Sequence, residues 1–349
     1  MSLSFSALEI GHGDAFLLEK DDWRCLFDSG ASKSSIVSLL KKKKINNLNL
    51  VICSHNDFDH ANGFLGILDQ KNNITVDEIW LPSLFANIIQ YVVDNGIPRE
   101  IFESEEYYID TVNIESLYDR EFEPISCEEF EDNMSMYIKY MDMYRYRLYE
   151  FLPYCRFNFK KLSLLIKLNN IAEIANKAYE AGCIIRWFEP IDGCTNNVIS
   201  YGFTALNSIE TNKIKKLKGV QEFIYALILT AENKYSLVFE YIKNNIPIVR
   251  FSADSDSTCQ SVTPYKNNII ITAPHHGSEA NQKVYKTIQG DDIIWVRSDY
   301  KSKTRPCSDF KNQQNRYCLA CRNKNFKSEL CFEYYGNTWL CRKGNKCNC

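Results

Sequence analysis

Four side chains able to hold a metal ion, His55, Asp57, Asp59 and His60, fall within six residues in the stretch Cys-Ser-His-Asn-Asp-Phe-Asp-His-Ala-Asn-Gly from Cys53 to Gly63. Imidazole nitrogens and carboxylate oxygens suit zinc, manganese or iron, and mixed sets of them can hold two such ions a few ångströms apart. The stretch follows the apolar run Leu48-Asn-Leu-Val-Ile52, so the spacing predicts a strand that ends in a ligand-rich turn. The plain alternative is a solvated polar turn, but that rarely carries this donor set.

The remaining histidines point the same way. There are five in the chain, His12, His55, His60, His275 and His276, and each lies in a Gly-, Asp- or Pro-containing segment at the edge of a predicted strand. Between His60 and His275 there is none.

The segment His55-x-Asp57-x-Asp59-His60 resembles the His-x-His-x-Asp-His signature of the metallo-β-lactamase superfamily, with Asp57 in place of the second His. Further segments are similar to one branch, the metallo-hydrolase domain of competence proteins of the DNA-uptake channel type. They are Gly11-His-Gly-Asp14-Ala, Leu26-Phe-Asp28-Ser-Gly, Asn233-Lys-Tyr-Ser236, Phe251-Ser-Ala-Asp254 and Pro274-His275-His276-Gly-Ser278. The likeness covers about residues 5 to 90 and 185 to 300, in order. It implies an α/β fold, an αββα sandwich of the metallo-β-lactamase type, here with an inserted acidic helical segment and a Cys-rich C-terminal tail.

The same resemblance implies a ligand set of His55, Asp57, Asp59, His60, Asp254 and His275, drawn to one edge of a sheet from strand ends up to 220 residues apart. Asp28 would brace the ligand loop from behind. His12 and Asp14 would lie behind or beside the ligands, or belong only to a tight turn made by the two glycines. A second site of Asp59, His60, His275 and a shared Asp254 looks complete. The first, with His55 and Asp57, lacks one protein ligand unless His12, Cys194 or water supplies it. One or two divalent ions, zinc or manganese, are therefore expected.

A metal-bound water acidified towards neutrality would then be the nucleophile. Asp59 or Asp254 would orient it, and His276 would contact substrate or give a proton to the leaving group, or else simply hydrogen-bond within its loop. Ser278 would add a hydroxyl toward the substrate oxygen. The resulting reading is a metal-dependent phosphodiesterase or nuclease acting on a nucleic acid or nucleotide. Two others stay open: a hydrolase of a carboxylic ester, lactone or thioester, and a non-catalytic metal-binding module of a larger assembly, for instance in defence against foreign DNA.

The elements that must position these residues follow the period of the apolar residues. Leu3 to Ile10, Ala15 to Glu19 and Trp23 to Phe27 predict an opening set of strands. Ser32 to Lys44 predicts an amphipathic helix capped by Ser32 or Ser34, its Lys41 to Lys44 run complementing the helix dipole or facing phosphate. Gly63 to Leu68 starts another helix, and strands follow at Ile79 to Pro82, Ile184 to Phe188, Tyr235 to Glu240, Ile246 to Phe251 and Asn268 to Ala273. Glu222 to Thr230 reads as an apolar stretch paired with the strand after it.

The 349 residues, 45% apolar and 13% aromatic, suffice for a large core. We divide them into a first core half (1–99), an acidic helical insertion acting as lid or docking element (100–181), a second core half (182–300) and a basic Cys-rich tail (301–349). Residues 100 to 150 hold fifteen Asp and Glu against four Lys and Arg, a local charge of −11. From Arg297 onward twelve Lys and Arg meet four Asp and Glu, a charge of +8. The tail could hold a phosphate backbone, and either segment could dock a protein partner, including each other. Seven of the fourteen cysteines lie in the last 43 residues, and Cys318-x-x-Cys321 with Cys307, Cys331 or Cys341 suggests a structural zinc site. No apolar run is long enough to span a membrane and no signal-peptide pattern opens the chain, which suggests a cytosolic location.

Overall fold

The computed structural model describes residues 2–103, 123–131, 134, 159–255, 265, 268–290, 292–299, 305–320, 329–344 and 346–347. Its strands are β1 (Leu3–Ala7), β2 (Phe16–Lys20), β3 (Trp23–Phe27), β4 (Asn47–Ile52), β5 (Thr75–Pro82), β6 (Ile125–Ser126), β7 (Ile184–Pro190), β8 (Asn197–Val198), β9 (Phe203–Ala205), β10 (Ser208–Thr211), β11 (Lys213–Ile214), β12 (Phe239–Lys243), β13 (Ile246–Phe251), β14 (Ile270–Thr272), β15 (Ile294–Arg297), β16 (Arg316–Cys318), β17 (Leu330–Tyr335) and β18 (Thr338–Lys343). The helices are α1 (Lys33–Lys42), α2 (Phe58–Ala61), α3 (Phe64–Ile67), α4 (Ser83–Asn95), α5 (Glu100–Glu103), α6 (Phe159–Glu180), α7 (Val220–Leu229), α8 (Val284–Thr287) and α9 (Ser308–Lys311).

Two large mixed sheets form among the described residues. One runs β10-β7-β5-β4-β3-β2-β1-β17-β18, the other β16-β15-β14-β13-β12-β9-β8. Alternation of side chains along each strand explains why they stack. Phe27, Leu50, Ile52 and Trp80 from the first sheet meet Phe203, Phe239, Phe251, Ile270 and Val296 from the second in one buried cluster. Their neighbours Leu26, Leu48, Val51, Ile79 and Leu81 point the other way, into a cluster with the buried faces of α1, α4, α6 and α7. Ile271 and Trp295 turn outward from the second sheet against α8 and α9. The order of layers is thus helices, sheet, sheet, helices. No described helix is long and apolar enough to cross a membrane.

Several elements differ from expectation. Glu222 to Leu229 lies within α7, with Thr230 as its C-cap, because the buried residues Phe223, Ile224, Ala226 and Leu227 follow helical spacing. Ser32 caps α1, its hydroxyl accepting from the Ser35 amide. Of the span 100–181 read as a lid, residues 104–122, 132–133 and 135–158 lie outside the described residues, including most of the helix read at Met134 to Leu152. The end of that span, α6, is no lid: Leu164, Leu168, Ile171, Ile174 and Ala178 are buried in the main core. Within 301–349, the described strands join the sheets. β16 extends one sheet beside β15, and β17 and β18 extend the other beside β1.

The two sheets are locked together just beneath the functional residues. Phe27 and Phe251 stack with ring centroids 4.7 Å apart and planes 15° apart. Phe27 is followed at once by Asp28, and Phe251 precedes Asp254 by three residues, so this contact sets the spacing between the two halves of the site.

Candidate metal centre

Strand ends position every residue of the site. β3 pairs parallel with β4, and β13 parallel with β14, so all four strands discharge their C-terminal loops toward the same edge. Asp28 follows β3; Ser54, His55 and Asp57 follow β4, with His60 one turn into α2. Asp254 follows β13, and His275 and His276 follow β14. The loops are tied to one another through the backbone: the His275 amide donates to Ala253 O (3.0 Å), Ser29 N to His60 O (2.8 Å), and Asp14 N to Asp59 O (3.1 Å). Asp28, Ala253, His275 and His276 all have positive φ, a costly conformation for residues with a Cβ, and one that clusters where geometry serves chemistry.

Gly13 shows how tight this assembly is. Its φ is +97°, and a Cβ placed on it would lie 1.7 Å from the carbonyl oxygen of Asp59. Gly13→Ala is therefore expected to cost about 1–3 kcal/mol through conformation alone and to displace Asp59. The thermal midpoint and the metal affinity should fall together; unchanged metal affinity would separate the turn from the centre.

Two groups of donors result: Asp14, His60, Asp254 and His276, all buried, and His55, Asp57 and Asp254. Asp254 belongs to both. Its Oδ1 lies 3.1 Å from His60 Nε2 and 3.9 Å from His276 Nε2, while its Oδ2 lies 3.9 Å from His55 Nε2. Asp57 Oδ2 is 3.7 Å from His55 Nε2, and Asp59 Oδ2 is 3.1 Å from His276 Nε2. Donors on one tetrahedral ion with bonds of 2.0–2.1 Å are about 3.3 Å apart, the range seen here. His60 Nε2 and Asp254 Oδ1 face each other at 3.1 Å, while His55 Nε2 and Asp14 Oδ2 are buried without a hydrogen-bond partner. Buried polar atoms are nearly always satisfied, and two such atoms, one in each donor group, fit a cation held in each.

The opposite edges of the imidazoles are fully engaged. Asp28 Oδ2 accepts from His60 Nδ1 (2.8 Å) and from the Ser54 hydroxyl (2.8 Å), its Oδ1 accepts from Ser54 N (2.9 Å), and Ser54 Oγ in turn accepts from His55 Nδ1 (2.8 Å). One carboxylate thus orients two histidines through Nδ1 and turns both Nε2 atoms toward the cavity. Asp14 does the same for His276, its Oδ1 standing 3.0 Å from Nδ1. Replacing Asp28 by Ala should weaken metal binding by about 10–100-fold while His60 and His55 remain in place; titration with a metal indicator would measure it.

No protein-family model matches the sequence, and no curated protein matches it. Among solved structures, the chain is similar to the hydrolase AbOPH of the beta lactamase superfamily. The two share 13% identity over 81% of this chain and 70% of that one, with a TM-score of 0.32.

Of the adjacent histidines, His276 rather than His275 joins a donor group. His276 is 1% exposed and faces Asp59, His60 and Asp254, whereas His275 lies outside both donor groups. Arg305 Nη2 donates to His275 Nε2 (3.1 Å), and Nδ1 sits between Asn233 (2.9 Å) and Asn281 (3.3 Å), so its lone pair is engaged, although Nε2 is 3.7 Å from Asp254 Oδ2. Arg297 sets the inner position of His276: fully buried, it donates from Nε to the His276 carbonyl at 2.6 Å. His12 reaches the cleft, its Nε2 3.3 Å from Asp59 Oδ2. Cys194 is exposed and belongs to neither donor group.

Sequence reasoning missed Arg297, Asp299, Arg305 and Asn281. Asp299 accepts from the Gly13 amide and lies 3.6 Å from Arg305. It follows β15 as Asp254 follows β13, and that shared strand-end placement was the available signal. The zinc set expected in the C-terminal segment does not assemble among the described residues. Cys318 is on β16, where Arg297 donates to its sulfur, Cys331 and Cys341 are on β17 and β18, and no donor group contains them or Cys307. Cys321 lies outside the described residues.

The charges reinforce one another. Burial alone would lower the His60 and His276 pKa values, but Asp254 and Asp28 raise the first well above its ordinary value, and Asp14 and Asp254 push the second up to about 10. Burial would raise Asp254 and Asp59; His60 and His276 instead hold both below the usual carboxylate range. His275 is lowered, by burial first and by Arg305 as well, against the pull of Asp254.

Proposed function

We propose that the chain is a metal-dependent hydrolase of the metallo-β-lactamase superfamily that cleaves phosphodiester bonds. The observation that carries this reading is the sharing of the buried Asp254 between two groups of histidine and aspartate donors. Asp14, His60, His276 and Asp254 would hold one divalent ion, and His55, Asp57 and Asp254 a second with fewer protein ligands. The layered sandwich and the order of the strand-end segments along the chain support the superfamily.

Bound zinc or manganese supplies an acidified water and positive charge against a substrate oxygen. The protein's own groups do the rest. Asp28, Ser54 and Asp14 orient the imidazoles through Nδ1. Asp59, 18% exposed on its side chain and within reach of His12, is placed to accept a proton from an attacking water. Arg305, a quarter exposed beside His275, offers a fixed cation at the rim, which favours an anionic substrate over a neutral ester.

The test is cleavage of bis(p-nitrophenyl) phosphate, DNA, RNA and cyclic nucleotides by metal-loaded protein, beside a panel of carboxylic esters, lactones and thioesters. Phosphodiester cleavage that is lost in Asp59→Ala is the expected outcome. Turnover of the esters alone would move the activity to carbon centres, and stoichiometric metal without any turnover would make the domain a binding module.

A further inference from the structure

Phe58 stands between the donors Asp57 and Asp59, yet its side chain does not enter the core: it is 56% exposed. It opens onto a cavity of about 400 Å³ that runs from Asp57 to the face of α6, where Ile166, 53% exposed, is the apolar partner. Single exposed apolar residues are ordinary. Here two line one cavity, and Lys33 and Lys167 line it with them. Glu173 lines the cavity as well and holds Lys33 at 4.0 Å, so Lys167 is the cation offered to a ligand. The volume lies within the range of small-molecule sites.

Resting on the phosphodiesterase reading, we infer that this cavity is a base-binding subsite: Phe58 stacks on the nucleobase next to the scissile phosphate, while Lys167 meets the nucleotide's phosphate. The combination selects the ligand. An alkyl chain would use Phe58 and Ile166 but waste the ammonium group, and a bare phosphate would do the reverse. A planar heterocycle joined to an anion uses both, and stacking on an aromatic face tolerates any base. The amide side chain of Asn169 on the same wall adds hydrogen-bonding capacity for base edges. Because Phe58 is flanked by metal-holding residues, a base stacked on it would place its own phosphate at the centre.

The experiment is a calorimetric titration of the manganese-loaded full chain with thymidine 5′-monophosphate, methyl phosphate and butyl phosphate. The nucleotide should bind at least about tenfold more tightly than methyl phosphate. Phe58→Ala should erase that ratio and Phe58→Trp should keep it, with metal content and thermal midpoint measured on each variant to establish that it is folded. Equal binding of nucleotide and methyl phosphate, no binding of either, or a preference that survives Phe58→Ala would overturn the inference. So would butyl phosphate binding as tightly as the nucleotide, which would give the cavity to an aliphatic chain. Hydrolysis of the p-nitrophenyl ester of thymidine 5′-monophosphate is followed in parallel. A nucleotide preference without hydrolysis would count against the phosphodiesterase reading and leave the subsite standing; hydrolysis without preference would remove the subsite alone.

Discussion

Asp254→Ala is expected to abolish tight binding at both donor groups and to lower kcat on any phosphodiester substrate on the order of 10³-fold. The reason is that its two oxygens serve different partners, Oδ1 the His60 and His276 side and Oδ2 the His55 side. Losing them also sets the raised charges of His60 and His276 against each other, their rings 5.0 Å apart, without the carboxylate between. The contrast is Asp57→Ala, which touches the His55 group alone and should leave the ion at His60 and His276 bound. Metal counting by mass spectrometry on the two variants separates these outcomes. If Asp254→Ala retained a full complement of metal, the shared carboxylate would have no place in the centre.

A second large effect should appear with pH. In the metal-free protein His60 and His276 are held protonated, the latter up to about 10, by Asp28, Asp14 and Asp254. An incoming ion must displace those protons, so affinity should tighten by about tenfold per pH unit for each proton lost, or about 100-fold per unit for both, between pH 6 and 8. Calorimetry in buffers of different ionisation heat would count the protons released. Stability of the metal-free chain moves oppositely. A histidine whose folded pKa is raised contributes stability fully below its unfolded value near 6.5, and loses that contribution as pH climbs toward about 10. Asp59 and Asp254, depressed in the fold, contribute above the ordinary 3.8 and lose it on acidification. The chelated protein should therefore melt at progressively lower temperature as pH rises from 6.5, and the metal-loaded protein should not follow. A melting temperature of the chelated form independent of pH in that window would contradict the protonation pattern.

The residues that converge were legible because their types are distinctive and strand ends are easy to find: His55, Asp57, His60 and Asp254 stand out among 349 positions, and the fold brings them together. The choice between His275 and His276 was not legible. It depends on two consecutive left-handed residues and on Arg297, 21 positions on, gripping the His276 carbonyl, and nothing local announces either. Val220–Leu229 is apolar enough to suit a strand or a helix, and only its packing against α4 and α6 decides. The C-terminal strands misled for a related reason: basic residues and cysteines dominate their composition, whereas pairing with β1 depends on the alternate residues Leu330, Phe332 and Tyr334 turning inward.

The position of β17 carries a consequence for how the molecule is made. β1 leaves the ribosome long before β17, so one of its two backbone edges waits for Leu330 to Glu333, more than three hundred residues later. During synthesis that edge is an open template for the wrong neighbour. Pairings so remote along the chain also make closure of the sandwich slow. A nascent chain stalled before β17 would be the species most prone to aggregate, and shortening the protein near residue 302 would make that condition permanent.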